Sequence, residues 1–297
     1  MRHNFIYSLL IGLGVSLLLF VSNAGAEFPI PPVSGLAWVK DNIFIAVHDA
    51  KPYQDKPRIS LITLPDRNHS LDWQAIDLDW QGQQPGQDLE SIAKIPNTNL
   101  FLIAESGNSR RQKSPRIFLI SYDDNQLTLV KTLPWPARIN NVEAITVALV
   151  DDHYVFLYAE RADGKLTTKI RYCTFKVNSL SFSPFQEVTL TIPTTSTTNF
   201  RPVSAMEIDD QSNIYIVSAV DPQGNNGPFS SSIWKIGQIQ QQKPEVILGQ
   251  NPEKIAVIDG FKVEGLTRQQ LTTGKQRWLI GTDDENYGGT VRILERR

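Results

Sequence analysis

The chain has 297 residues, 20% of them charged, with 29 basic and 31 acidic side chains and a single cysteine. This slightly acidic balance excludes the basic face that a nucleic-acid partner selects, and one cysteine excludes an internal disulfide framework. The length would admit two domains, but all-β folds of about 200–250 residues are routinely one.

The first predicted element is not part of the fold. Met1-Arg2-His3-Asn4 precedes an apolar run from Phe5 to Val21, and Ala24-Gly25-Ala26 follows. A basic start, a short apolar stretch and small residues before a junction describe a secretory signal peptide, residues 1–26, cut after Ala26. The run of 17 residues falls short of the roughly 20 needed to span a bilayer, and an uncleaved anchor is the alternative. The expected product is an exported protein, periplasmic or extracellular, with no stable membrane span and residues 27–297 as one domain. Its core is large enough to stand without disulfides. Cys173, inside the apolar run Ile170 to Phe175, reads as a small buried hydrophobe.

From there a block recurs five times. Its openings are Val33-Ser34-Gly35-Leu36, Leu89-Glu90-Ser91-Ile92, Val142-Glu143-Ala144-Ile145, Val203-Ser204-Ala205-Met206 and Val263-Glu264-Gly265-Leu266, with the last residues 56, 53, 61 and 60 positions apart. Each opening leads to a second apolar run, such as Leu100–Ala104 or Tyr154–Tyr158, bounded by turn residues. Repeat 2 parses into four strands: Leu89–Ile95, Leu100–Glu105, Arg116–Ile120 and Leu127–Leu133. No stretch beyond the leader carries a capped 3.6-residue apolar period, so few helices are expected. Four short antiparallel strands recurring at intervals of 53 to 61 residues predict an all-β chain folded as a single β-propeller. Five four-stranded blades are expected, with Glu27-Phe28-Pro29-Ile30 completing the fifth. Six blades are the alternative, should residues 249–261 (Lys254–Ile258 above all) hide further strands.

In that fold the first strand of each blade lines the channel, and the second returns to the mouth where the first began. Glu90, Glu143 and Glu264, with Ser34 and Ser204, are therefore expected around one mouth, joined by His48-Asp49, Glu105-Ser106, Glu160-Arg161, Asp221 and Asp283-Asp284-Glu285-Asn286. Crowded carboxylates repel and raise one another's pKa unless a cation or basic group compensates. A hard ion such as Ca²⁺ suits an oxygen-rich set, and the scarcity of His and Cys argues against zinc. The expected metal ligands are Glu90, Glu143, Glu264, Asp283 and Asp284, with Glu105 or Glu160 left as general base. The plainer alternative is that first-strand acids accept hydrogen bonds from the neighbouring blade and hold the ring together. There is no Gly-x-Ser-x-Gly elbow.

The blocks Leu89–Ala93, Phe101–Asn108, Val263–Thr267 and Ile280–Asn286 resemble the phytase-like, or "esterase-like activity of phytase", propeller family, which borders the SdiA-regulated propellers. The resemblance covers roughly residues 30–295. It implies an exported propeller acting on phosphate or carboxylic esters with metal assistance. The chain departs from the family pattern in Thr282-Asp283-Asp284-Glu285-Asn286, where Glu285 is inserted, and in Ser34 and Ser204, where the family has Glu. Two functions stay open: a Ca²⁺-assisted hydrolase of a small ester or phosphoester, or a non-catalytic scaffold that binds a ligand or a protein. A monomer is expected in both.

Overall fold

The computed structural model describes residues 30–51, 54–66, 71–107, 114–194, 198–222 and 226–294; the expected signal peptide and Glu27–Pro29 lie outside them. The described chain forms five antiparallel sheets. Sheet one holds β1 (Gly35–Lys40), β2 (Ile43–Val47), β3 (Ile59–Thr63) and β4 (Asp72–Ala75). Sheet two holds β5 (Leu89–Lys94), β6 (Leu100–Glu105), β7 (Arg116–Asp123) and β8 (Gln126–Pro134). In sheet three β9 (Val142–Val150), β10 (His153–Glu160) and β11 (Thr167–Lys176) are bordered by both β12 (Ser181–Phe182) and β13 (Gln186–Thr191). Sheet four comprises β14 (Phe200–Ile208), β15 (Asn213–Val220), β16 (Ser230–Gln240) and β17 (Glu245–Asp259). Sheet five comprises β18 (Val263–Gln270), β19 (Gln276–Thr282) and β20 (Val291–Leu294).

First strands pack in cyclic order: β1 on β5, β5 on β9, β9 on β14, β14 on β18, and β18 back on β1. The ring therefore closes at five blades. The residues considered for a sixth, Lys254–Ile258, continue β17 along β16, where Ile233 pairs with Ala256 and Ser231 with Ile258. At the closing seam Ile30 forms an isolated bridge with Gly289, and the Val33 amide donates to the Thr282 carbonyl at 2.9 Å.

The sequence explains why these segments become strands in these places. Inner strands touch neighbours on both faces, so β6 and β15 read as nearly continuous apolar runs, while outer strands such as β8 alternate buried and exposed. Asp124-Asn125 and Asp151-Asp152 both take positive φ, as a two-residue hairpin turn of the I′ type requires. The core is divided into five wedges, one between each pair of adjacent blades. Trp135 packs edge-on to Phe156 and Tyr158 in the wedge between blades two and three. Cys173 is buried in the same wedge, and burial pushes its thiol up to about 12.

Candidate functional site

Antiparallel pairing brings the start of each first strand beside the end of the second: Leu89 faces Glu105, Val142 faces Glu160 and Val263 faces Thr282. At each of these ends the register slips by one residue. Pairing passes from Leu89 to Ser91, from Val142 to Ala144 and from Val263 to Gly265, leaving Glu90, Glu143 and Glu264 as the unpaired residues. A bulge of this kind bends the strand and re-aims one side chain. All three ring glutamates occupy one.

The mouth they share is built of alternating charges. Glu143 accepts from Asn141 Nδ2 at 3.1 Å and faces Arg161 at 3.5 Å and Arg201 at 3.9 Å. Arg201 donates Nη1 to Glu264 at 2.8 Å and Nη2 to Asp221. Lys262, only 1% exposed, donates to Asp283 at 2.9 Å and to Glu285, and lies 3.5 Å from Glu264. Burial would lower the pKa of the Lys262 ammonium, but Glu264 and Asp283 outweigh it and hold it above the usual lysine value. Burial also pushes Glu143 up to about 7, with Arg161 opposing, and lifts Glu264 well above the ordinary range, with Lys262 opposing.

Glu90 differs from the other two. Among the described residues no hydrogen bond or ion pair reaches its carboxyl, and burial followed by the charges of Asp49, Glu143, Asp88 and Glu264 raises its pKa well above the usual value. Its carboxyl lies with those of Asp49 and Asp88 such that one oxygen from each falls within 4.8 Å of the others. Lys51 donates to both Asp49 and Asp88, and the Ser106 hydroxyl donates to Asp88. Burial pushes Asp49 up to about 6, assisted by Asp88. Burial acts on Asp88 too, but hydrogen bonds from Asp49, Lys51 and Ser106 outweigh it and hold it low. Three carboxyls with oxygen donors alone fit a hard cation, and the Lys51 ammonium already rests between two of them.

The remaining expected site residues lie in different settings. Asp283 pairs with Lys262 beside Glu264. Asp284 is turned onto the chain itself, accepting from the Lys262 amide at 2.8 Å and the Thr282 hydroxyl at 2.6 Å. Glu105 accepts from the Arg116 amide and guanidinium and from the Gln87 amide, so both oxygens are occupied. Glu160 pairs with Arg171 at 3.0 Å and accepts from the Asn140 amide at 2.9 Å. Among the described residues neither Glu105 nor Glu160 bonds to the Glu90 group. His48 is buried between the Pro32 carbonyl (2.7 Å) and Ser60 (2.8 Å), and burial lowers its pKa to about 4. Ser34 accepts from the Asp49 amide at 3.1 Å, and Ser204 donates to the Val263 carbonyl at 2.7 Å.

Sequence reasoning named Glu90, Glu143, Glu264, Asp49, Asp221 and Asp283 but missed Lys51, Asp88, Arg201 and Lys262. A signal for two of them was present. Asp88 and Lys262 stand two residues before Glu90 and Glu264, as Asn141 does before Glu143, so each of the three glutamate openings carries a polar residue at the lip.

No protein-family model and no curated protein matches the sequence. Solved structures do. An exo-1,5-α-L-arabinanase from a bovine ruminal metagenomic library matches at 10% identity over 91% of this chain and 97% of that one, with a TM-score of 0.50. A GH43 endo-arabinanase from Bacillus licheniformis matches at 9% identity over 91% and 96%, with a TM-score of 0.51. An endo-arabinase from Bacteroides thetaiotaomicron matches at 10% over 91% and 99%, with a TM-score of 0.50. The likeness is one of fold: all three are similar to this chain as five-bladed propellers.

Proposed function

We propose that this propeller is an exported hydrolase of phosphate or carboxylic esters, as the phytase-like resemblance implies, with its chemistry at the Glu90 mouth. One observation carries the reading: Glu90, Asp49 and Asp88 converge within 4.8 Å, with Glu90 unpartnered among the described residues. These three are the residues that would hold Ca²⁺, a choice that moves the proposed ion away from Glu143, Glu264, Asp283 and Asp284. A bound cation would supply polarisation of the ester oxygen and a more acidic water. Glu143, held near 7, suits the general base, since a base works best with a pKa close to the operating pH. In the balanced step the water oxygen bonds to the acyl carbon or phosphorus as the ester C–O or P–O bond breaks. Glu143 takes the water's proton, and the departing alkoxide takes one from solvent. Glu143 thus takes the base role expected of Glu105 or Glu160, because its charge acts on Glu90 while Glu105 is held by Arg116 and Glu160 by Arg171.

Two of the fold-level neighbours are arabinanases, which is compatible with hydrolysis in general. A second reading, a non-catalytic binding protein, is favoured by a different observation. Lys51, Arg201 and Lys262 already neutralise Asp88, Glu264 and Asp283.

Calorimetric titration with Ca²⁺ and turnover of phytate and p-nitrophenyl esters separate these readings. The hydrolase reading expects Ca²⁺ binding and chelator-sensitive turnover, both lost in Glu90→Gln. Turnover that survives exhaustive chelation removes the ion from the mechanism. Unchanged turnover in Glu90→Gln removes the site, and Ca²⁺ binding without turnover favours the binding protein.

A further inference from the structure

The other mouth of the channel opens on a cavity. Trp38, Lys94, Val147, Glu207 and Thr267 lie late on the five first strands, and all five line one cavity of about 740 Å³. That volume falls within the usual range for small-molecule sites, roughly 300–1,000 Å³. Opposite-mouth geometry follows from register, since Trp38 pairs with Phe44 and Lys94 with Phe101 beside the hairpin turns.

One donor of the cavity lining lacks an acceptor. Arg268, which lines it, spends one Nη on Asp210 (2.9 Å) and the other on Gln276. Its Nε is buried with no hydrogen-bond partner in the structure. An unfilled buried donor costs roughly 1–3 kcal/mol, and more when charged, so this N–H would gain from an acceptor. Lys94 gives one hydrogen bond, to the Val39 carbonyl at 2.7 Å, and sits 4.7 Å from the Trp38 ring centre. Among the described residues no carboxylate pairs with it, and burial lowers its pKa. Glu207 is the acid within reach. Burial pushes it up to about 7, against the pull of Arg268, and it accepts from the Ile208 amide at 2.9 Å. Asp210 is bound up with Arg268 and Gln276.

We infer that this cavity binds a small organic or inorganic oxyanion, a carboxylate or a phosphate, held between Lys94 of blade two and Arg268 of blade five. The site is independent of the Glu90 mouth and of any hydrolysis there.

The test is calorimetric titration of the whole protein with succinate, inorganic phosphate and the neutral polyol erythritol, with hydrogen exchange to locate binding. Succinate or phosphate should bind, and which of them binds identifies the oxyanion class. Protection should appear in the turn 96–99 and around Gln270. Lys94→Met and Arg268→Lys, on different blades, should each weaken binding at least tenfold, while Glu90→Gln leaves it unchanged. Binding of neither anion, equal binding of erythritol, protection confined to the Glu90 mouth, or wild-type affinity in a folded variant would each overturn the inference. The exchange experiment on the wild-type chain decides the matter even if both variants fail to fold.

Discussion

Arg201 holds four acids in one place, bonding to Glu264 and Asp221 while facing Glu143 and Asp163. Removing one partner of a buried charge network leaves the others uncompensated, a loss of roughly 3–5 kcal/mol. Arg201→Met should therefore lower the stability to urea by about that amount at pH 8, and by less at pH 5, where protonated carboxyls no longer repel. A stability loss independent of pH would contradict the pairing. At the opposite mouth Glu207 gives a cleaner titration. Its pKa in the folded chain is raised from 4.5 to about 7, so the folded state holds the proton more tightly than the unfolded state. Its contribution is fully favourable below pH 4.5 and is lost as pH rises through about 7. Glu207→Gln should match the wild type at pH 4 and exceed it at pH 8 by on the order of 1–3 kcal/mol. Equal stability at both pH values would mean that Glu207 titrates normally.

The strands show what a pattern of residues can and cannot reveal. Alternation and turn residues place nearly every strand, because inner strands bury both faces and outer strands only one. The bulges are a different matter. Glu90, Glu143 and Glu264 follow an apolar residue as any strand residue would, and the slip in register comes from pairing with the second strand. The glycines after Ser34 and Glu264 have a legible reason once first strands are seen to touch. A Cβ on Gly35 would meet Ser91 Cα at 2.9 Å, and one on Gly265 would meet Leu36 Cβ at 2.8 Å. Gly35→Ala should destabilise the protein by roughly 1–3 kcal/mol, as overpacking against backbone does, and a neutral result in thermal unfolding would show that β1 can move off β5. On the outside, β17 leaves Val257 57% exposed and Ile255 41% exposed along an edge strand. Val257→Lys is expected to raise solubility with little change in stability, because edges are guarded by charge.

At the scale of the molecule, the fivefold period carries the architecture: it marks the ring, the mouth and the acids that meet there. Closure of the last blade rests on residues ahead of the first block, and Ile30, the described residue of the segment expected there, bridges Gly289. The basic groups at the lip are harder to read: Lys51 and Arg201 lie outside the repeated block, Lys262 shows only as a polar residue ahead of Val263, and all three acquire their partners when the ring forms. Each apolar wedge is shared by two blades, so no blade has a core of its own. Unfolding should then be one transition, with far-UV and near-UV circular dichroism coinciding; two separated midpoints would show that a subset of blades survives alone. The sole cysteine gives that ring a stopwatch. Cys173 is sealed between blades two and three, and a protonated, enclosed thiol cannot react until those blades part. The rate at which a thiol reagent modifies it in the native protein counts openings of that one seam, and a ligand seated on either mouth should slow the count.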